Sequence, residues 1–201
     1  MKKAQQLKKK HKKLNNAGMT LTEMIVTFAL LALFMVAATR VISYIIGIYY
    51  AASGNSYGLQ VSNMISNKIV GQIEGALPAV DPQVSSDGSG IDTISFMDGT
   101  GSKITIGATP QMNAEGSMGK SYMNIHYDEV TEGSIQYDAV DWRFDSKAYL
   151  GYSVSGLKFE SPGSGYPENV MKMTLVLNSE RYGDYTSTYY IKCVNVEKIL
   201  F

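Results

Sequence analysis

The chain has 201 residues with 18 basic and 18 acidic side chains, a size that suits one domain, or one domain with an anchor. Its single cysteine, Cys193, excludes an intrachain disulfide, so an exported domain must rely on its core and sheet. The formal charge of zero hides an asymmetry: all 18 acids follow Gly18, and seven of the 18 basic residues precede it.

Those seven are Lys2, Lys3, Lys8, Lys9, Lys10, Lys12 and Lys13. A cluster of this kind next to an apolar run reads as a retention signal at an anionic cytoplasmic leaflet. A chain starting after Gly18 would hold 11 basic against 18 acidic residues, a net charge of −7. That balance argues against a nucleic-acid partner, whose phosphates call for clustered Lys and Arg.

The apolar run covers residues 19–50 and is interrupted only by Glu23 near one end and Arg40 near the other. As a helix, residues 19–39 reach about 30 Å, enough for one bilayer crossing. Arg40 can snorkel to the far interface, with Tyr44, Tyr49 and Tyr50 just beyond it. The positive-inside rule then places the lysines in the cytoplasm and the chain after Arg40 outside. Glu23 is a costly carboxylate at the start of such a segment, which makes it a candidate functional residue in need of a partner. A competing reading takes Ala51-Ala52-Ser53-Gly54 as a conventional signal-peptidase site that releases a secreted domain. The length of the run and the cost of Glu23 weigh against it.

Past Arg40 the helical pattern continues. Val61, Ile65, Ile69 and Ile73 recur every four residues, painting one apolar face. Gly47, Gly54 and Gly58 are expected to weaken and bend this helix, and Pro78 with Pro82 to end it near residue 77. The division expected is a leader, residues 1–18; a membrane helix, 19–50; an amphipathic continuation, 51–80; and a β-rich domain, 81–201.

Residues 81–90 read as a Pro/Ser/Gly/Asp loop. Strands are predicted at 91–97, 103–106, 122–127, 134–137, 142–144, 149–160, 170–177 and 186–196, with a polar hairpin turn at 178–185. In 170–177 the residues Met171, Met173, Leu175 and Leu177 share one face, a natural seat for the stripe of the helix. The expected class is α+β: a long N-terminal helix on an antiparallel sheet.

Little in the chain suggests catalysis. His11 lies in the leader and His126 in a predicted strand facing solvent or a tyrosine, so no histidine triad forms. Asp87-Gly88-Ser89-Gly90-Ile91-Asp92, with Asp81 nearby, resembles part of a calcium loop but falls short of 6–8 oxygen ligands. Asp138, Asp141 and Asp145 read as surface acids. No catalytic residue, cofactor site or metal site is assigned, and the chain is not read as an enzyme.

Gly18-Met19-Thr20-Leu21-Thr22-Glu23, set between a lysine-rich head and an apolar run, resembles the processing site of type IV prepilins and pseudopilins. The resemblance implies a type IV pilin-like fold, cleavage between Gly18 and Met19 by a membrane aspartyl protease, and methylation of the new Met19 amine by the same enzyme. It implies that Glu23 pairs with a neighbouring subunit's terminal amine during assembly. It also implies partners: that peptidase, other pilin or pseudopilin subunits, an assembly platform with its ATPase, and membrane lipid. Two departures stand out. Met19 replaces the usual Phe, and Arg40 stands where major pilins usually carry Pro. The stretch 32–42, with its Ala-rich run into Arg40-Val41, is similar to J-type minor pseudopilins. So is the later order Trp142-Arg143-Phe144, then Val154-Ser155-Gly156-Leu157-Lys158-Phe159, then a hydrophobic hairpin.

Two functions follow. One is a structural subunit, minor in role, of a pilus, competence pseudopilus or secretion filament, single-pass at first and then in a surface filament. The other is a membrane-tethered or secreted binding domain such as an adhesin.

Overall fold

The structure is a computed structural model that describes residues 20–77, 80–112, 118–132 and 135–201. The lysine head, Gly18, Met19, His11 and Pro78 lie outside the described residues. The chain divides into two compact units, Met1–Gly47 and Ile48–Phe201, and helix α1 (Leu21–Ile73) contributes to both.

In the first unit the helical side chains are exposed, among them Phe28, Leu33, Phe34 and Ile42. By length and composition α1 is apolar enough to cross a membrane. Two of its hydroxyls bond back within the helix: Thr39 Oγ1 donates to the Met35 carbonyl at 2.8 Å and Ser43 Oγ to that of Thr39 at 2.9 Å. A segment surrounded by lipid requires this kind of internal pairing.

In the second unit the rest of α1 packs on antiparallel sheets. Val61, Ile65, Ile69 and Ile73 are each at most 1% exposed, so the predicted stripe is the buried face. Burying four such side chains favours the packed state by about 1.5–3 kcal/mol each. The helix is continuous through Gly54 and Gly58, contrary to the expected weakening. Both glycines are buried where tyrosines cross the helix: a Cβ on Gly58 would lie 2.5 Å from Tyr185 Cγ, and one on Gly54 2.9 Å from Tyr182 Cβ. These glycines admit a close approach rather than a bend. The helix stops at Ile73, before the prolines, where tighter bonds from Gly75 N–H to Gln72 and Ala76 N–H to Ile73 unwind it. Leu77 N–H then joins Met97 at 2.8 Å.

One sheet has five strands in the order β1-β2-β3-β4-β7: β1 (Gln83–Ser85), β2 (Thr93–Met97), β3 (Lys103–Met112), β4 (Met118–Tyr127) and β7 (Val140–Arg143). A second is the meander β8 (Ser153–Glu160), β9 (Val170–Ser179) and β10 (Gly183–Lys192). A separate pair, β5 (Val130–Glu132) and β6 (Ile135–Tyr137), forms between β4 and β7. Leu175 pairs with Ser187 and Met173 with Tyr189, which puts the apolar face of β9 and the helix-facing side of β10 together. There Ser62 Oγ shares hydrogen bonds with Ser187 Oγ and, at 2.8 Å, with Tyr189 Oη.

The two larger sheets join through a parallel bridge, Ile91 to Leu157. Asp92, only 6% exposed, seals this joint: its Oδ2 accepts from Phe159 N–H at 3.0 Å, and its own N–H donates to Leu157. Tyr149, fully buried, accepts from Met123 N–H at 2.9 Å through its hydroxyl, and burial pushes its phenol up to about 12. The expected α+β architecture is therefore the observed one. Strand bounds differ: β1 and β5 lie where loop was expected, and the strand expected from residue 149 begins only at Ser153, Tyr149 closing a 3-10 turn instead.

Candidate functional site: the polar start of the apolar helix

The sequence places one carboxylate at the head of the apolar run, and the structure shows what holds it. Thr20 is the last residue before α1, and Glu23 is the third residue inside it. Glu23 Oε2 accepts from Thr20 N–H at 2.8 Å and from Thr20 Oγ1 at 2.9 Å. Glu23 N–H returns a bond to Thr20 Oγ1 at 3.3 Å. This reciprocal pairing is a capping box, which satisfies donors that the first helical turn leaves open. The same turn favours negative charge through the helix dipole. Thr27 Oγ1 donates to the Glu23 carbonyl at 2.6 Å and continues the polar track by one turn.

The carboxylate thus begins with partners inside its own chain, yet it stays reachable. Thr20, Thr22, Glu23, Val26 and Thr27 line a shallow open groove. One oxygen, Oε2, takes both bonds from Thr20, so an incoming cation would compete with a hydroxyl and an amide rather than with another charge. The charge argument applied to the sequence singles out Glu23 and passes over Thr20. The Thr-x-x-Glu spacing is the signal that identifies it. Arg40 lies on the exposed surface of α1, seventeen residues beyond Glu23, so it shares no contact surface with it. Gly18 and Met19 fall outside the described residues.

Other sequence candidates resolve differently. The Asp87 carboxylate accepts from Ser89 N–H at 2.8 Å, and the Ser89 hydroxyl and amide hold it below the usual carboxylate range. Among the described residues no group of three His, Cys, Asp or Glu side chains is placed to hold a metal. His126 is a half-exposed strand residue, and its ring meets two surface carboxylates, Asp128 and Asp141, rather than a tyrosine. Asp145 caps the 3-10 turn through Lys147 N–H at 2.8 Å. Cys193 is 1% exposed, and burial pushes its thiol up to about 11.

Residues 13–39 match the Prokaryotic N-terminal methylation motif. No match stands among curated proteins or among solved structures. The motif implies a prepilin peptidase and fellow pilin subunits as partners, and it marks a structural precursor rather than an enzyme family. The apolar helix that follows fits a membrane-anchored form of such a precursor. The N-terminal segment of this chain carries a type IV pilin-like prepilin signal, and Glu23 with its Thr20 cap stands inside it.

Proposed function

We propose that this chain is a prepilin-like structural subunit that is cut between Gly18 and Met19, methylated on the Met19 amine, and built into a surface filament. The observation that carries the reading is the coincidence of three features in one segment. They are the methylation motif over residues 13–39, the capped Glu23 inside it, and the exposed apolar helix beginning at Leu21. In the membrane-resident form, residues 1–18 stay in the cytoplasm as the leader, residues 19–50 span, residues 51–80 continue the helix, and residues 81–201 fold outside. During assembly Glu23 exchanges its Thr20 bonds for a neighbour's terminal amine, a cation that cleavage itself creates. Arg40 flanks the outer interface.

We assign the subunit a minor role, as an initiating or capping component, because Arg40 stands where main shaft subunits of the resembled family carry proline. An assembly platform and its ATPase are the further partners this role requires. The test is Glu23→Ala in a strain that assembles the filament. The variant is inserted and processed but absent from sheared filaments. Recovery in filaments at the wild-type level contradicts the role given to this carboxylate.

A further inference from the structure

The turn between β9 and β10, residues 180–182, carries a cation that no acid of the fold neutralises. Arg181 is exposed, and among the described residues no carboxylate pairs with it. The acids beside it are engaged elsewhere: Glu180 Oε1 lies 3.0 Å from Lys120 Nζ, and Asp184 Oδ1 accepts from Asn178 Nδ2 at 2.6 Å. The guanidinium lies instead over two tyrosine rings, with Cζ 5.1 Å from the centroid of Tyr50 and 5.4 Å from that of Tyr182. Contact of this kind orients a cation without discharging it.

The rings that hold it form one aromatic cluster within the second unit. Tyr182 stacks on Tyr152 at 5.9 Å and meets Tyr57 and Tyr50 edge-on at 5.5 Å and 6.5 Å. Tyr152 is fixed in its turn, 2% exposed, with its hydroxyl donating to the Gly54 carbonyl at 2.9 Å. Tyr49 lies 6.0 Å from Tyr50, and both rings are exposed. Exposed phenols and one cation therefore stand together on a packed base.

The chain that leads into the cluster indicates what this surface meets. Tyr50 is the last residue of the apolar run, whose one charge after Glu23 is Arg40, and α1 is continuous through it. As a helix, residues 24–50 reach about 40 Å. A bilayer with both headgroup layers is about 40–45 Å thick. A run that starts at the inner headgroups thus brings Tyr49 and Tyr50 to the outer ones, the level at which tyrosines collect in membrane proteins. Phosphate is the anion at that level, and the guanidinium fork matches it.

We propose that Arg181 and the tyrosines around it dock the second unit on the outer leaflet. The guanidinium binds a lipid phosphate, and Tyr49 and Tyr50 lie among the headgroups. The proposal rests on the membrane-resident form proposed above.

Solid-state NMR of the full chain in phosphatidylcholine vesicles, with carbon-13 at arginine Cζ, tests it by dephasing from lipid phosphorus. The chain has three arginines, Arg40, Arg143 and Arg181, and the variants Arg40→Lys and Arg181→Lys assign their signals. The expected result is a loss of signal to phosphorus at Arg181 and at Arg40, with none at Arg143 on β7. Loss at Arg40 but not at Arg181 overturns the docking and leaves the membrane span standing. Loss at neither overturns the membrane-resident form and the docking with it. Equal loss at all three marks general adsorption to the vesicle and also overturns the docking. The wild-type chain carries the measurement, so no variant's folding decides it.

Discussion

Thr20 and Glu23 satisfy each other across the first turn of α1, with two bonds to Glu23 Oε2 at 2.8 and 2.9 Å and one returned to Thr20 Oγ1 at 3.3 Å. A carboxylate at the head of an apolar segment is thereby partnered before any second subunit arrives. Thr20→Val keeps the shape of the side chain but removes its oxygen, the cap of the first turn. A lost cap costs about 1 kcal/mol. Amide exchange at residues 22–24 therefore rises about fivefold in detergent-solubilised protein, with the strands of the second unit unaffected.

Two glycines of α1 should respond in opposite directions to the same change. At Gly58 a Cβ would lie 2.5 Å from Tyr185 Cγ, so Gly58→Ala displaces the ring and costs about 1–3 kcal/mol. At Gly71 nothing among the described residues lies within 4 Å, and Gly71→Ala gains about 0.5–1 kcal/mol from helix propensity. Denaturant unfolding followed by near-UV circular dichroism separates the two.

Asp92 seals the joint between the two larger sheets, and its removal should be felt in both. Asp92→Ala leaves the buried Phe159 N–H without its 3.0 Å acceptor, a loss of about 1–3 kcal/mol. Asp92→Asn retains an acceptor oxygen and should lose less. Urea midpoints at constant slope measure the difference.

Cys193 gives a pH dependence in the alkaline range. Its folded thiol is raised to about 11 by burial, above its ordinary value. The folded state therefore holds this proton longer than the unfolded state does. The stability it contributes is full below about pH 9 and is lost as pH rises toward 11, on the order of 3 kcal/mol in all. Cys193→Ala should flatten the fall in unfolding midpoint over that interval. The native thiol should also react slowly with an aromatic disulfide reagent at pH 8, because at 1% exposure it is scarcely accessible.

The parts of the fold that follow a local period were legible in the sequence. Val61, Ile65, Ile69 and Ile73 repeat with the helix, Met171 to Leu177 alternate with the strand, and both sets are buried where they face each other's elements. The parts that depend on a distant partner were not. Gly54 and Gly58 look like helix breakers because their reason for being small, Tyr182 and Tyr185, lies more than 120 residues away. β3 extends past Ile106 through Gly107 and Pro110, residues that argue against a strand, and the register shifts at Pro110, where a bulge absorbs the missing N–H. Residues 149–152 look like the start of a strand, yet Leu150 at φ 53° and Gly151 at φ 90° turn the chain instead.

At the candidate site the charge pattern revealed Glu23 but not what it bonds. Thr20 belongs to a four-residue spacing that reads as a cap only when the helix start is placed at Leu21. His126 was the opposite case. Its two carboxylates are two and fifteen positions away, and only the pairing of β4 with β7 brings the farther one within 2.9 Å.

The proposed processing removes the lysine-rich head at Gly18 and leaves Met19 as a methylated terminus. Intact-mass and N-terminal peptide spectrometry of the protein, from cells with and without their prepilin peptidase, measures this directly. The expected result is a mature chain that begins at Met19 with one added methyl group on its amine, and an uncut chain when the peptidase is absent. A mature chain that begins elsewhere, or one that keeps residues 1–18 in the presence of the peptidase, contradicts it.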